Sequence, residues 1–395
     1  MQAADPIPTT IQHPAGASRR LRAGCAALAL GLASCASGEA PEAGVHDTEA
    51  HDLRVEIVAS GLEHPWGLAF LPEGGMLVTE RPGRLRLVRD GAVVPEPVAG
   101  LPAIAAHGQG GLLDVALHPG FADNRWVYFS YSAAGDGGGI GTEVARARLR
   151  EHRLEDLEVL FRLRPKTGAG RHFGSRLVFD GEGHLYITLG DRGDRPRAQR
   201  LDDHAGSIVR LHDDGTVPAD NPFTDRPDAL PGIWSYGHRN IQGADRHPRT
   251  GQLWIHEHGP QGGDEVNVVE KGANYGWPVI TYGVNYVLGT PIGEGTHKPG
   301  MKQPIHYWDP SIAPSGMAFY TGDAFPRWQG DLLVGALKDR MLVRLELDGR
   351  EVVHEERMLQ GALGRIRDVR VGPDGAVYLL TDAPDGVVAR LVPAS

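Results

Sequence analysis

Cysteine is almost absent from this chain: two in 395 residues, Cys25 and Cys35. The body beyond residue 35 therefore has no disulfide and no thiolate metal site. A basic surplus is missing too. Forty Lys and Arg stand against fifty Asp and Glu, a formal net charge of −10, so there is no general basic face to neutralise phosphates, and no nucleic acid partner is expected. Long apolar runs are also lacking. The run at residues 23–33 is too short to span a bilayer. From Leu53 onward no long amphipathic helix pattern occurs, which excludes a helical body.

Glycine is what the chain has in excess. Its 54 glycines are roughly twice the usual share, and with 29 prolines they imply many turns between short elements. The 41% hydrophobic content is enough for one large core or two ordinary ones.

The N-terminus speaks for compartment. Arg19, Arg20 and Arg22 precede the apolar run, as in the charged and hydrophobic regions of an export signal over residues 1–35. The ending Leu32-Ala33-Ser34-Cys35 resembles a bacterial lipoprotein processing site. In that reading the mature chain begins at a lipidated Cys35, and the protein is periplasmic or at the cell envelope, touching membrane only through that lipid. Plain signal cleavage with a soluble product is the alternative. Residues 36–52 are small, polar and acidic, which suits a flexible linker.

Over residues 53–395 one phrase returns with variation: an apolar pair, then Pro or Asp with Gly, then an alternating strand. Its six copies begin near Trp66, Leu113, Arg176, Ile241, Ser315 and Arg367. Six strand-rich copies at blade-like intervals predict an all-β fold, a six-bladed β-propeller of four-stranded antiparallel blades. A large β-sandwich would leave the repetition unexplained. Ligands of propellers bind where the blade loops converge, so functional residues are expected in small sets along the whole chain.

Four loop segments carry polar residues that turns do not require. They are His107 to Leu113, holding Gln109; Arg171 to Arg176, holding His172; Gly237 to Asn240 with His258 to Glu265; and Lys338 with Arg365 and Arg367. Arg365 and Arg367, two apart on a strand, share a face. His256 and His258 also alternate, but one pair does not fix zinc, and they are read as structural.

The ordered set Gly-His-Arg-Asn-Ile-Gln-Gly, His-Gly-Pro, Asp-Glu-Val-Asn and Asn-Tyr-Gly-Trp-Pro resembles the soluble quinoprotein glucose/sorbosone and aldose sugar dehydrogenases. The resemblance runs from about Leu53 to the C-terminus and implies an oxidoreductase that uses pyrroloquinoline quinone (PQQ) and Ca²⁺. It places His172 as general base for an aldose hydroxyl, a role open to a group titrating near neutrality. It places Arg239 at the quinone carbonyl that gains charge, with Asn240 and Gln109 as further cofactor contacts. Lys338, Arg365 and Arg367 become a cationic clamp for the three carboxylates of PQQ. The carbonyls of Gly259 and Pro260 would hold the active-site calcium, and Asp264, Glu265 and Tyr275 a second one. Electrons would leave to an external quinone, cytochrome or copper protein. Glucose-oxidising members carry an aspartate before the histidine, whereas this chain has Arg171, which puts glucose preference in doubt. Two other readings are a calcium-dependent sugar lactonase propeller and a non-catalytic propeller receptor. The first leaves the cationic trio unexplained, and the second predicts breakage at His172 or Arg239, which are both intact.

Overall fold

The computed structural model describes residues 43–135 and 137–394. Residues 1–42, and with them the signal and Cys35, lie outside the described residues. Six antiparallel sheets follow one another along the chain. Blade one is built from Pro65–Phe70, Met76–Glu80, Arg84–Arg89 and Ala92–Val93, and blade two from Leu112–Leu117, Trp126–Ala134, Ile140–Arg150 and Arg153–Arg162. Blade three uses Leu177–Phe179, His184–Thr188, Ser207–His212 and Ile233–Tyr236; blade four uses Ile241–Arg246, Leu253–Glu257, Asp264–Val268 and His306–Trp308. Blade five comprises Pro314–Phe319, Leu332–Ala336, Leu342–Asp348 and Glu351–Met358. The expected six-bladed, all-β propeller is what the chain forms.

Blade six is composite. Ile366–Val371, Val377–Thr381 and Gly386–Pro393 from the C-terminal end are completed by Leu53–Leu62 from the N-terminal end. Here the structure corrects the linker boundary. Gly44–His46, expected within a flexible stretch, adds a fifth strand by pairing with Leu53, Arg54 and Val55. Glu49 N–H donates to Glu356 Oε1 at 2.6 Å, and His51 packs edge-on to Phe325 and Trp328. An open sheet edge and an aromatic patch order a segment whose composition alone suggests mobility.

The alternation of each strand puts one side chain set on each face of a blade, and six apolar clusters fill the six blade interfaces. Leu77 and Val127 meet between blades one and two, Tyr128 and Leu185 between two and three, and Ile208 and Ile255 between three and four. Val266 with Met317, Leu333 with Val377, and Leu380 with Val78 close the circle. The six repeated phrases of the sequence are the six innermost strands.

The channel they surround is filled by charge rather than left open. Arg176 donates to Asp114 at 3.2 Å and forms an ion pair with Asp368 at 2.9 Å, and Arg370 donates to the same two carboxylates at 2.9 and 3.0 Å. Asp114 also accepts Leu177 N–H, and Asp368 accepts Leu68 N–H, each on the following blade. Two arginines and two aspartates balance, so the buried charges are all partnered, and the carboxylates stitch neighbouring blades together.

Candidate active site

In an antiparallel blade the start of strand one and the end of strand two lie at the same end. Gln109, His172, Arg239, Asn240 and Arg365 precede first strands. Asp191, His258, Lys338 and Asp382 follow second strands. All therefore gather at one mouth of the channel, where a cavity of about 300 Å³ is lined by Trp66, Arg81, Gln109, Asn240, His258 and the Arg365–Arg367–Asp382 group.

His172 stands at the rim of this mouth. Its backbone is left-handed, φ 55°, a conformation that costs a non-glycine residue energy and needs outside support. Arg192 provides it. The guanidinium is buried, lies 3.5 Å from the Phe173 ring centroid, and donates to the carbonyls of Ala169 and Arg171. Burial first, then Arg197, brings the Arg192 pKa down to about 9. Gln109 Oε1 accepts His172 N–H at 2.8 Å. Gly190 is needed beside the turn, because a Cβ there would stand 2.3 Å from the His172 carbonyl oxygen.

His172 Nδ1 lies 2.6 Å from Asp191 Oδ1. That carboxylate is 1% exposed and also accepts Gly193 N–H at 2.6 Å and the Trp277 indole N–H at 2.8 Å. The pair fixes the imidazole so that Nε2 is the free nitrogen. Burial lowers the His172 pKa below its ordinary value. The Asp191 bond works against that, and the Arg239 and Arg171 charges add to it. Asp191 titrates lower than usual, because the His172 bond, Gly193 N–H and Arg239 together outweigh its burial. Asp191 was not singled out from sequence, and Trp277 stood there only within the Asn-Tyr-Gly-Trp-Pro motif, with no role. Arg171 is exposed, with its guanidinium laid along the Gly193 backbone.

Arg239 is buried and donates to the His258 carbonyl at 2.9 Å, while its own N–H is taken by the Glu257 carboxylate. Asn240 Oδ1 accepts Gly174 N–H and the Gln242 amide, each at 3.3 Å, so it braces the loop after His172. Across the cavity, Arg365 and Arg367 both donate to Asp382 Oδ2 at 3.2 Å, and Asp382 Oδ1 is 2.9 Å from His64 Nδ1. Burial opposes ionisation of Asp382, yet Arg367, His64 and Arg365 hold it well below the usual carboxylate range. Lys338 stands at the rim with its ammonium on the Ser311 carbonyl at 2.6 Å.

The metal expectation divides. Gly259 lines a void of about 10 Å³ with Glu257, Glu265, Tyr275 and Trp277, which is room for one water-sized sphere. The Pro260 carbonyl accepts the Tyr286 hydroxyl at 2.8 Å. Glu265 is held up by burial and by the facing Glu257, and its one protein partner is the Asn267 amide at 3.2 Å. Asp264 is corrected. Both its oxygens are taken, by Gly259 N–H, the Ser311 hydroxyl, Ile312 N–H and Ala313 N–H at 2.7–3.0 Å. Tyr275 lines the void, while its hydroxyl is engaged elsewhere, donating to the Val268 carbonyl and accepting Glu270 N–H. Glu257, not anticipated, also lines the void, with Oε1 2.8 Å from His238 Nδ1 and Oε2 accepting the Arg239 backbone N–H. His256 and His258 share no ligand: both His256 nitrogens are buried without partners, and His258 Nε2 meets the Pro314 carbonyl at 2.6 Å.

This site sits in a chain whose residues 62–390 match the family model described as glucose/sorbosone dehydrogenase. The chain belongs to that family. It is 48% identical over 345 residues to the Escherichia coli aldose sugar dehydrogenase YliI, covering 86% of this chain and 93% of that one. Among solved structures it is similar to the soluble aldose sugar dehydrogenase of Escherichia coli in its apo form. That match has a TM-score of 0.84 at 48% identity, over 87% of this chain and all of the other. It is also similar to the PQQ-bound aldose sugar dehydrogenase of Streptomyces coelicolor, with a TM-score of 0.71 at 28% identity, over 89% of this chain and 100% of that one. Family membership makes the protein an oxidoreductase, and the mouth of the propeller is where its chemistry is sought.

Proposed function

We propose that the protein oxidises aldoses at the anomeric carbon to lactones, with PQQ as acceptor and calcium beside it. The observation that carries this reading is the convergence of two assemblies on one mouth of the propeller. One is the His172–Asp191 pair at 2.6 Å, and the other is the Arg365–Arg367–Asp382 group that lines the cavity. The relatives that are named aldose sugar dehydrogenases, one of them PQQ-bound, support it.

The residues fit the cofactor's chemistry. A planar tricarboxylate suits a cavity lined by Arg365 and Arg367, at a mouth that also carries Arg239 and Lys338, in a chain that is otherwise acidic. Calcium takes oxygen donors, and the Gly259 and Pro260 carbonyls together with Glu265 form such a set. When bound, the quinone supplies the two-electron acceptor and the metal polarises it. The protein's own part is to take a proton and steady a charge. Neutral His172 accepts the anomeric hydroxyl proton at Nε2, Asp191 stabilises the imidazolium that results, and Arg239 faces the oxygen that becomes negative. Arg171 beside the base makes the sugar preference differ from that of members with a carboxylate there.

A lactonase would need free carboxylates around a central metal. Asp114 and Asp368 in the channel are bound by Arg176 and Arg370, which favours the dehydrogenase. We also read the N-terminal pattern as export with lipid attachment at Cys35, and the electron acceptor as a separate quinone, cytochrome or copper protein. Reconstitution of the mature protein with calcium and PQQ, followed by dye reduction with a panel of aldoses, tests the reading. Reduction that needs both additions is expected. Absence of PQQ binding overturns it.

A further inference from the structure

The motif Asn274-Tyr275-Gly276-Trp277-Pro278 is left without a role by the chemistry above. It lies in residues 269–305, between the third and fourth strands of blade four. The third strand ends at Val268, at the end of the blade away from the mouth, yet by Trp277 the chain has climbed back to it. Specific bonds hold it there. The Asn274 and Gln199 amides pair reciprocally at 2.8 and 3.1 Å. Tyr275 N–H donates to the Tyr236 carbonyl and Trp277 N–H to the Gly237 carbonyl, each at 2.9 Å. The motif thus lies along the turn that leads into Arg239.

The indole is buried and touches both halves of the catalytic apparatus. Its N–H reaches Asp191 Oδ2 at 2.8 Å, and its ring centroid is 5.4 Å from the Arg239 guanidinium. Asp191 Oδ1 already serves His172 and Gly193, so the indole is the donor that Oδ2 receives. It fixes the rotation of the carboxylate. Being neutral and without a titration of its own, it also draws off part of the negative charge that would otherwise act on the imidazole.

We propose that Trp277 is a positioning residue for the base: its indole N–H locks the Asp191 carboxylate and moderates how strongly Asp191 favours the charged form of His172. The charged and titratable groups facing His172 are Asp191, Arg239 and Arg171, with His258 nearby, and Arg192 faces Asp191. None of them replaces a neutral donor on Oδ2.

The catalytic readout rests on the sugar oxidation proposed above. Trp277→Phe keeps an aromatic ring and removes the donor. Its expected effects are an acid limb of kcat displaced to higher pH by about one unit and a kcat about tenfold lower, with PQQ affinity unchanged. Wild-type turnover together with an unmoved acid limb in Trp277→Phe overturns the inference and leaves the proposed function standing. A wild type without turnover overturns the proposed function, and the inference is then decided by the wild-type indole resonances. Among the seven tryptophans, one N–H shift should follow pH through the His172 transition and lose that dependence in His172→Ala. This measurement also serves if Trp277→Phe fails to fold, and a spectrum with no such resonance overturns the inference.

Discussion

His172 Nδ1 and Asp191 Oδ1 are 2.6 Å apart, although they arrive from different strands of blade three. The contact orients the imidazole through Nδ1 and leaves Nε2 as the nitrogen open to a substrate proton. His172→Ala should abolish turnover while PQQ binding persists, as followed by the absorbance of bound cofactor. Asp191→Asn should lower kcat by about 10²- to 10⁴-fold, by analogy with other histidine–carboxylate pairs. Loss of cofactor binding with a normal rate per bound quinone would contradict both roles.

Acidity gives a second prediction. Because burial lowers the His172 pKa in the folded protein, the neutral base persists to lower pH than a free histidine would allow. The acid limb of kcat/KM should therefore fall below pH 6.5, the ordinary histidine value. A limb above that value would place the proton elsewhere.

In the lining of the cavity, Arg367 is buried and shared between Asp382 and Gln242. Arg367→Ala should weaken PQQ binding about 10- to 100-fold, the usual worth of a charged hydrogen bond. Arg239→Ala should weaken binding and also slow the redox step. Titration of the apoprotein with PQQ, beside single-turnover kinetics, separates the two.

The adjacent acids of blade four should behave differently. Glu265→Gln is expected to reduce calcium affinity with little change in stability without metal. Asp264→Asn, which weakens a carboxylate held by four donors, should cost about 1–3 kcal/mol of stability whether or not calcium is present. Thermal melts with calcium and with chelator distinguish them.

These two residues also show where sequence reading succeeds and where it stops. The six phrases mark the innermost strands because each must end in a tight turn, and the residues just before them, Gln109, His172, Arg239 and Arg365, were legible for that reason. Asp191, Glu257, Trp277 and Asp382 were not, because they come from second strands or from the 269–305 excursion, and only blade register brings them to the mouth. Assigning Asp264 and Glu265 together to a metal neglected the period of a strand, in which neighbours face opposite ways. That rule alone would have separated them. The ordering of Gly44–His46 was hidden because the strand it pairs with, Leu53–Leu62, is itself docked on Gly386–Pro393 at the far end of the chain.

His256 supports a last prediction, on stability. It is fully buried with both nitrogens unpartnered, and burial, with His258 and Arg176, keeps it neutral to well below its ordinary pKa. The unfolded chain takes up a proton near pH 6.5 that the folded chain refuses, so stability is intact above that pH and declines below it. The decline should be about 1.4 kcal/mol per unit for this residue. Urea unfolding between pH 7.5 and 5 would show a shallower slope in His256→Asn.

Leu53–Leu62 completes a blade whose other principal strands come from residues 366–393. A chain emerging from the ribosome can thus form five blades in turn, but the ring stays an open arc until Gly386–Pro393 has appeared. Removal of either end should have the same result, an arc with two exposed edges and no assembled mouth. Because the mouth takes Arg365, Arg367 and Asp382 from the composite blade itself, competence for cofactor arrives all at once, with the closing strand.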